Sequence, residues 1–167
     1  MTQDEKDPSR GEMRFRTAAA ADRPRLIELI NAAFSLEEFF EGTRTDEERL
    51  AAMMAKGRIL VAEDGAGRIA ASIYTEDRGK HGYLGMLAVD PGRQRQGLGH
   101  RLMEVAEEGF RRQGCEAVEI VVLSLRPELL PVYQRFGYAI TGTEEFKTTR
   151  PLKAGVECHC ITMSKRL

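Results

Sequence analysis

The run VDPGRQRQGLGHRLM, Val89 to Met103, puts Gly97 and Gly99 where an apolar run gives way to a helical pattern, with Arg93, Arg95 and Arg101 around them. A helix start carries N–H groups without intrahelical partners and a partial positive charge, which suits an anion. Glycines let the backbone approach such a ligand closely, and successive N–H groups in this kind of turn form an anion-binding concavity. Two glycines at a helix start cost about 1 kcal/mol each, which a plain strand-to-helix turn with solvated arginines does not require. The run is neither the GxxxxGK[ST] of a P-loop nor a GxGxxG dinucleotide fingerprint. A nucleotide-binding reading also needs a ribose-reading acid about twenty residues after the glycines, and no convincing pattern stands there.

Three other groups of residues have chemistry-bearing types. Cys158-His159-Cys160 invites a metal reading. On a strand, however, Cys158 and Cys160 share one face, His159 points the other way, and no second Cys/His cluster supplies the remaining ligands. The expectation is buried strand thiols and no metal. With Cys115 they make three cysteines, which give no disulfide framework. Glu37, Glu38 and Glu41 cluster near Phe39 and Phe40, and Glu144 and Glu145 lie in another loop. Such carboxylates attract a cationic amine, or simply form a solvated acidic face.

The elements that must position these groups follow from periodicity and turn residues. Phe15 to Thr17 reads as a short strand. Asp22, ahead of Arg23-Pro24, reads as the N-cap of a helix whose apolar face holds Leu26, Ile27, Leu29, Ile30, Ala33 and Phe34. Thr45-Asp46-Glu47-Glu48 opens a second helix that Gly57 stops. ILVAED and RIAASIYTE flank a Gly65-Ala66-Gly67 hairpin turn, and YLGMLAV follows a turn at 79–82. A long helix from about Leu98 to Gln113 faces the core with Leu98, Leu102, Val105, Ala106 and Phe110, and ends at Gly114. Cys115 to Leu123 is a buried β-branched strand. A short helix from Pro127 to Gly137 precedes final strands at Tyr138–Thr141 and Glu157–Met163. The order β-α-α-β-β-β-α-β-α-β-β predicts one α/β (α+β) domain around a mixed, mostly antiparallel sheet with helices on both faces.

Composition agrees. The 167 residues suit one domain, and 42% hydrophobic with 31% charged residues is ordinary for a globular protein. A net charge of −1 excludes a global basic field for nucleic acid or anionic lipid, so any anion site is local. No run approaches a membrane span, and the polar MTQDEKDPSRGEM lacks a signal-peptide core. Residues 1–13 are expected to be a disordered lead-in, residues 14–167 the folded domain, and the compartment the cytoplasm.

Gln94-Arg95-Gln96-Gly97-Leu98-Gly99 fits Gln/Arg-x-x-Gly-x-Gly/Ala. With LAVDP before it, HRLM after it, and the later VYQRFGY (Val132 to Tyr138) matching Tyr-x-x-x-Gly-Phe/Tyr, the chain resembles the GNAT superfamily of N-acetyltransferases from about Phe15 to its end. The resemblance implies a cosubstrate, acetyl-coenzyme A, with its pyrophosphate on the main chain of Gln94, Arg95, Gln96, Gly97, Leu98 and Gly99, joined by His100. It implies a fold in which the strand before the loop splays from its neighbour, and a pantetheine arm that pairs with Leu87, Ala88 and Val89 like an added strand. The Leu87 N–H would polarise the thioester carbonyl and stabilise a tetrahedral oxyanion, with the small Gly85 and Met86 nearby. Tyr133 would protonate the departing thiolate, since a phenol of pKa near ~10 stays protonated at neutral pH; without the motif it reads as a packing residue.

Many members carry an Asn where this chain has Arg126. The cofactor, an acidic substrate group, and a salt bridge to Glu128 or a helix-start role are the alternatives for it. The general base is unmarked by any motif: Glu119, Glu63, His81 and Tyr83 are candidates. The implied activity is acetyl transfer to an amine of a small molecule or peptide by direct attack, with no nucleic-acid or membrane partner, and a homodimer through the terminal strands is one arrangement the resemblance allows. The competing function is an acyl-coenzyme A-binding sensor that kept the fold and lost turnover.

Overall fold

The computed structural model describes residues 12–147 and 150–167. The expected N-terminal lead-in therefore lies, but for its last two residues, outside the described residues. The elements are β1 (Arg14–Thr17), α1 (Arg23–Ala33), α2 (Glu47–Lys56), β2 (Arg58–Glu63), β3 (Ile69–Arg78), β4 (His81–Val89), α3 (Leu98–Arg112), β5 (Ala117–Leu123), α4 (Leu129–Arg135), β6 (Ala139–Glu145) and β7 (His159–Arg166). Their order is the one the periodicity predicts.

The seven strands form one sheet in the order β1-β2-β3-β4-β5-β7-β6. Every pair is antiparallel except β4–β5. Helices cover both faces, because each helix has an apolar stripe to bury. Leu26, Leu29 and Ile30 of α1 and Leu50 of α2 pack with Ile59, Val61 and Ala88. Leu98, Leu102, Met103, Ala106 and Phe110 of α3 form the other core with Ile73, Leu84 and Val118, and α4 adds Leu129, Leu130 and Tyr133. The sheet thus separates an α1–α2 side from an α3–α4 side. No helix among the described residues is long and apolar enough to cross a membrane.

Local chemistry sets the helix ends. The Asp46 carboxylate accepts the Arg49 N–H at 2.9 Å and caps α2. Asp22 behaves otherwise than expected. It accepts the Ala19 N–H at 2.7 Å and pairs with Arg16 at 2.8 Å, so it closes the preceding 3-10 turn and leaves α1 without a side-chain cap. Val105, expected in the core, is 37% exposed, and Met103 is buried in its place. At 3.6 residues per turn Val105 falls on the rim of the stripe. β5 begins at Ala117 rather than Cys115: Gly114 turns with φ +85°, and the Cys115 N–H closes the end of α3 on the Phe110 carbonyl at 3.0 Å.

α3 is locked to the sheet at Gly82, where a Cβ would lie 2.5 Å from the Phe110 ring. Gly82→Ala is therefore expected to destabilise by about 1–3 kcal/mol through overpacking. At about 2–4 °C per kcal/mol for a domain of this size, thermal denaturation will read it, and an unchanged melting temperature would show that the ring yields freely.

Candidate functional site

β4 and β5 pair only at their first residues, His81 with Ala117, Gly82 with Val118 and Tyr83 with Glu119. Beyond Tyr83 the strands part, and among the described residues the rest of β4 has no strand partner on that edge. A cavity of about 870 Å³ occupies the opening, lined from both sides of the sheet. β4 is also bulged. Its register against β3 shifts between Ser72 and Tyr74, and Met86 stands at φ +48°, a strained value for a side chain with a Cβ.

The Asp90 N–H donates to the Ala70 carbonyl at 2.9 Å. N–H groups alternate between the edges of a strand, so those of Val89 and Leu87 fall on the open edge and that of Ala88 on the β3 edge. Leu87 and Val89 line the cavity accordingly. Ala88 does not: it pairs with Ser72 and is fully buried on the α1 side. Gly85 leaves room, as expected, but the Tyr83 ring takes it, with the hydroxyl 2.9 Å from where a Cβ would be.

The loop after β4 turns at Asp90, which accepts the Gly92 N–H at 3.0 Å and is held by Arg25 at 2.8 Å. Arg95 (φ +64°) and Gly97 (φ +73°) then adopt left-handed conformations immediately before α3. Gly97 is the N-cap and offers no side chain to cap the first-turn N–H groups. The two glycines differ in role. A Cβ at Gly97 would meet nothing within 4 Å, whereas one at Gly99 would press on Leu87 Cδ2 at 3.3 Å. Gly97 permits the turn, and Gly99 permits α3 to sit close on β4. Gln94, Arg95, Gly97, Leu98, Gly99 and His100 all line the cavity, and Gln96 does not. His100 stacks on Phe136 with ring centroids 4.1 Å apart. Of the three arginines, Arg95 and Arg93 line the cavity, Arg93 also pairing with Asp64 at 2.6 Å, while Arg101 lies over the Phe15 ring.

Tyr133, on α4, lines the same cavity, and its ring packs edge-on against Phe136 and Tyr138. Its hydroxyl makes no hydrogen bond among the described residues. Burial pushes its pKa above the ordinary phenol value, with the nearby Arg126 charge opposing.

The candidate bases fare differently. Glu119 and His81 bond to each other at 2.9 Å outside the cavity, and Glu63 pairs with Arg16. Tyr83 does line the cavity, but burial raises its pKa, so it keeps its proton. Of the acidic cluster, Glu38 and Glu41 are exposed and outside the lining. Glu37 is buried and already shared. Its Oε2 accepts from Arg126 Nη1 at 2.8 Å, and its Oε1 lies 3.8 Å from Arg150 Nη1. Arg126 also donates to Glu128 at 2.5 Å, the salt-bridge alternative of the sequence. The cluster is thus no free lure for an amine. Cys160 is buried on β7, Cys158 half-buried, and His159 exposed, and no group of three or more candidate metal ligands occurs among the described residues.

Two lining residues had no motif to mark them. Arg44 lies between α1 and α2, and Arg150 between β6 and β7; a β-bridge from Phe40 to Leu152 joins these connectors.

Residues 23–138 match the model of the Acetyltransferase (GNAT) family. Glucosamine 6-phosphate N-acetyltransferase 1 of Oryza sativa subsp. japonica is 34% identical over 106 residues, covering 59% of this chain and 62% of that protein. Mycothiol acetyltransferase of Propionibacterium freudenreichii subsp. shermanii is 29% identical over 90 residues, covering 52% of this chain and 29% of that one. The chain thus spans less than two thirds of either relative. A crystal structure of a GNAT family acetyltransferase from Elizabethkingia anophelis with acetyl-CoA bound superposes with a TM-score of 0.72 at 17% identity, covering 92% of this chain and 98% of that one. It shares the fold.

Proposed function

Because the chain belongs to the acetyltransferase (GNAT) family, we propose that it transfers an acetyl group from acetyl-CoA to the amine of a small molecule or peptide by direct attack. The observation that carries this reading is the meeting of two features in one cavity: the β4 edge freed by the splay, and the uncapped, left-handed entry to α3. The two curated relatives are named for acetyl transfer, and the Elizabethkingia anophelis protein holds acetyl-CoA on the same fold.

The residues fit the group. Left-handed residues such as Arg95 and Gly97 occur in turns whose successive N–H groups form the concavity a pyrophosphate requires, and a Cβ at Gly97 would meet nothing within 4 Å among the described residues. The Arg95 side chain adds charge. Leu87 and Val89 offer N–H groups on the free edge for an extended arm, and the Leu87 N–H lies beside the bulge, where it polarises a carbonyl oxygen. Acetyl-CoA supplies an activated acyl group on a thiol leaving group. Tyr133 Oη, protonated and without a hydrogen-bond partner among the described residues, donates the proton that the thiolate takes up. Among the described residues Glu37 is the one carboxylate that lines the cavity, and it is taken up in ion pairs with Arg126 and Arg150. The amine therefore gives up its proton to water and attacks as the neutral species. Tyr133 in the cleft favours this over a turnover-free sensor.

Calorimetry with acetyl-CoA tests the reading. Binding is expected, with stabilisation of about 2.7 kcal/mol at 100 times the dissociation constant. Gly97→Glu sets a negative side chain against the pyrophosphate. A repulsion of ~1.4 kcal/mol or more lowers affinity at least tenfold. Gly97→Ala carries the same backbone strain without the charge and separates the two causes. No heat of binding at millimolar acetyl-CoA would remove the reading, and a normal affinity in Gly97→Glu would move the pyrophosphate elsewhere.

A further inference from the structure

The cavity's end on the α1–α2 side is cationic, although the chain as a whole carries −1. Arg44, Arg126, Arg150 and Lys147 line it, against one carboxylate among the described residues, that of Glu37. Its Oε2 accepts from Arg126, and its Oε1 faces Arg150 at 3.8 Å without a hydrogen bond among the described residues. Arg44 is left over. Its guanidinium is half-buried, with Cζ 5.2 Å from the centre of the Phe34 ring, and it makes no hydrogen bond or ion pair among the described residues. Burial lowers its pKa, and the Glu37 charge only partly offsets this. A cation held in an apolar cleft without a counter-ion is costly, and a ligand that brings the counter-ion removes the cost. Arginine's planar fork matches the two oxygens of a carboxylate or a phosphate.

This site is separate from the anion cradle at α3. Phe34 and Tyr83, the side chains around Arg44, belong to the core on the α1 side of the sheet, whereas α3 and Tyr133 belong to the other. A cosubstrate on the α3 cradle and a ligand at Arg44 would meet at the splay from opposite faces. We infer that Arg44 determines acceptor specificity by binding an oxyanion, carboxylate or phosphate, carried by the same molecule as the acetylated amine. The inference rests on the acetyl-transfer reading, which it deepens by naming the acceptor class: amino acids, amino-terminal dipeptides or phosphorylated amino sugars rather than polyamines.

The test uses the full chain, acetyl-CoA and matched acceptors that differ only in the anion. An amino acid is compared with its amide, and an amino sugar 6-phosphate with the free amino sugar, so that the carboxylate and phosphate arms are read apart. The parent is expected to prefer the anionic member of at least one pair by tenfold or more in kcat/KM. Arg44→Gln should level that pair, mostly through KM, and Arg44→Lys should retain part of the preference. Circular dichroism and acetyl-CoA affinity serve as fold controls. Equal use of both members, a preference for polyamines, or a preference that survives Arg44→Gln overturns the inference, as does an Arg44→Gln defect confined to acetyl-CoA binding. Should no acceptor be turned over, the acetyl-transfer reading fails by itself. Calorimetry with the same pairs then decides the site: Arg44-dependent binding of the anionic member supports it, and none refutes it.

Discussion

Tyr133→Phe is expected to lower kcat by about 10²–10⁴-fold, the usual worth of general acid catalysis, while acetyl-CoA affinity changes little. The variant keeps the ring, and with it the packing on Phe136 and Tyr138, and deletes a hydroxyl that makes no hydrogen bond among the described residues. Its cost should fall on the step in which the thiolate departs, so kcat and kcat/KM should drop together. An acetyl donor with a more acidic leaving thiol needs less help, and the deficit should shrink with it. The pH dependence has a definite sign. A general acid works while protonated, and burial raises the Tyr133 pKa. Loss of activity from its ionisation therefore belongs above the ordinary phenol value near ~10, and an alkaline limb of kcat well below that value must have another source. If Tyr133→Phe matches the parent with ordinary acetyl-CoA where chemistry is rate-limiting, Tyr133 is a packing residue.

Glu37→Gln is expected to be the most damaging change to stability at the site. Glu37, Arg126 and Arg150 have side chains only 4%, 14% and 7% exposed. Removing the carboxylate takes from Arg126 and Arg150 the buried charge they share, while Arg126 keeps the exposed Glu128, and breaking a buried pair in this way costs about 3–5 kcal/mol. At roughly 2–4 °C per kcal/mol, the melting temperature should fall by ~6–20 °C. Glu128→Gln is the contrast. Glu128 is 58% exposed and pairs with the same Arg126, and an exposed ion-pair partner is worth about 0–1 kcal/mol. Equal effects of the two variants would mean that water reaches Glu37, and the uncompensated charge assigned to Arg44 would then be screened as well.

What the sequence by itself determined is what depends on near neighbours. A positive φ at Gly97, the cap at Asp46 and the stop at Gly114 are requirements of one or two residues, and the residue types declare them. The element order follows from periodicity, which is also local, and with the loop and Tyr133 motifs it led to the family that the family model shows. The tertiary structure decided whatever depends on which segments meet. Leu87 and Ala88 look alike in sequence; the hydrogen bond from Asp90 to Ala70 puts them on opposite edges. Glu119 and His81 looked available as bases until the three-residue pairing of β4 with β5 joined them outside the cleft. The reversal at the acceptor end has the same origin. An acidic run near Phe39 and Phe40 left open an attraction for cations or a solvated face; Glu38 and Glu41 are exposed, while Arg126 and Arg150, 89 and 113 positions after Glu37, fold back to Glu37 and change the sign of the charge the cleft presents. Charge balance in a desolvated site is summed over space, and only packing brings those charges into one volume.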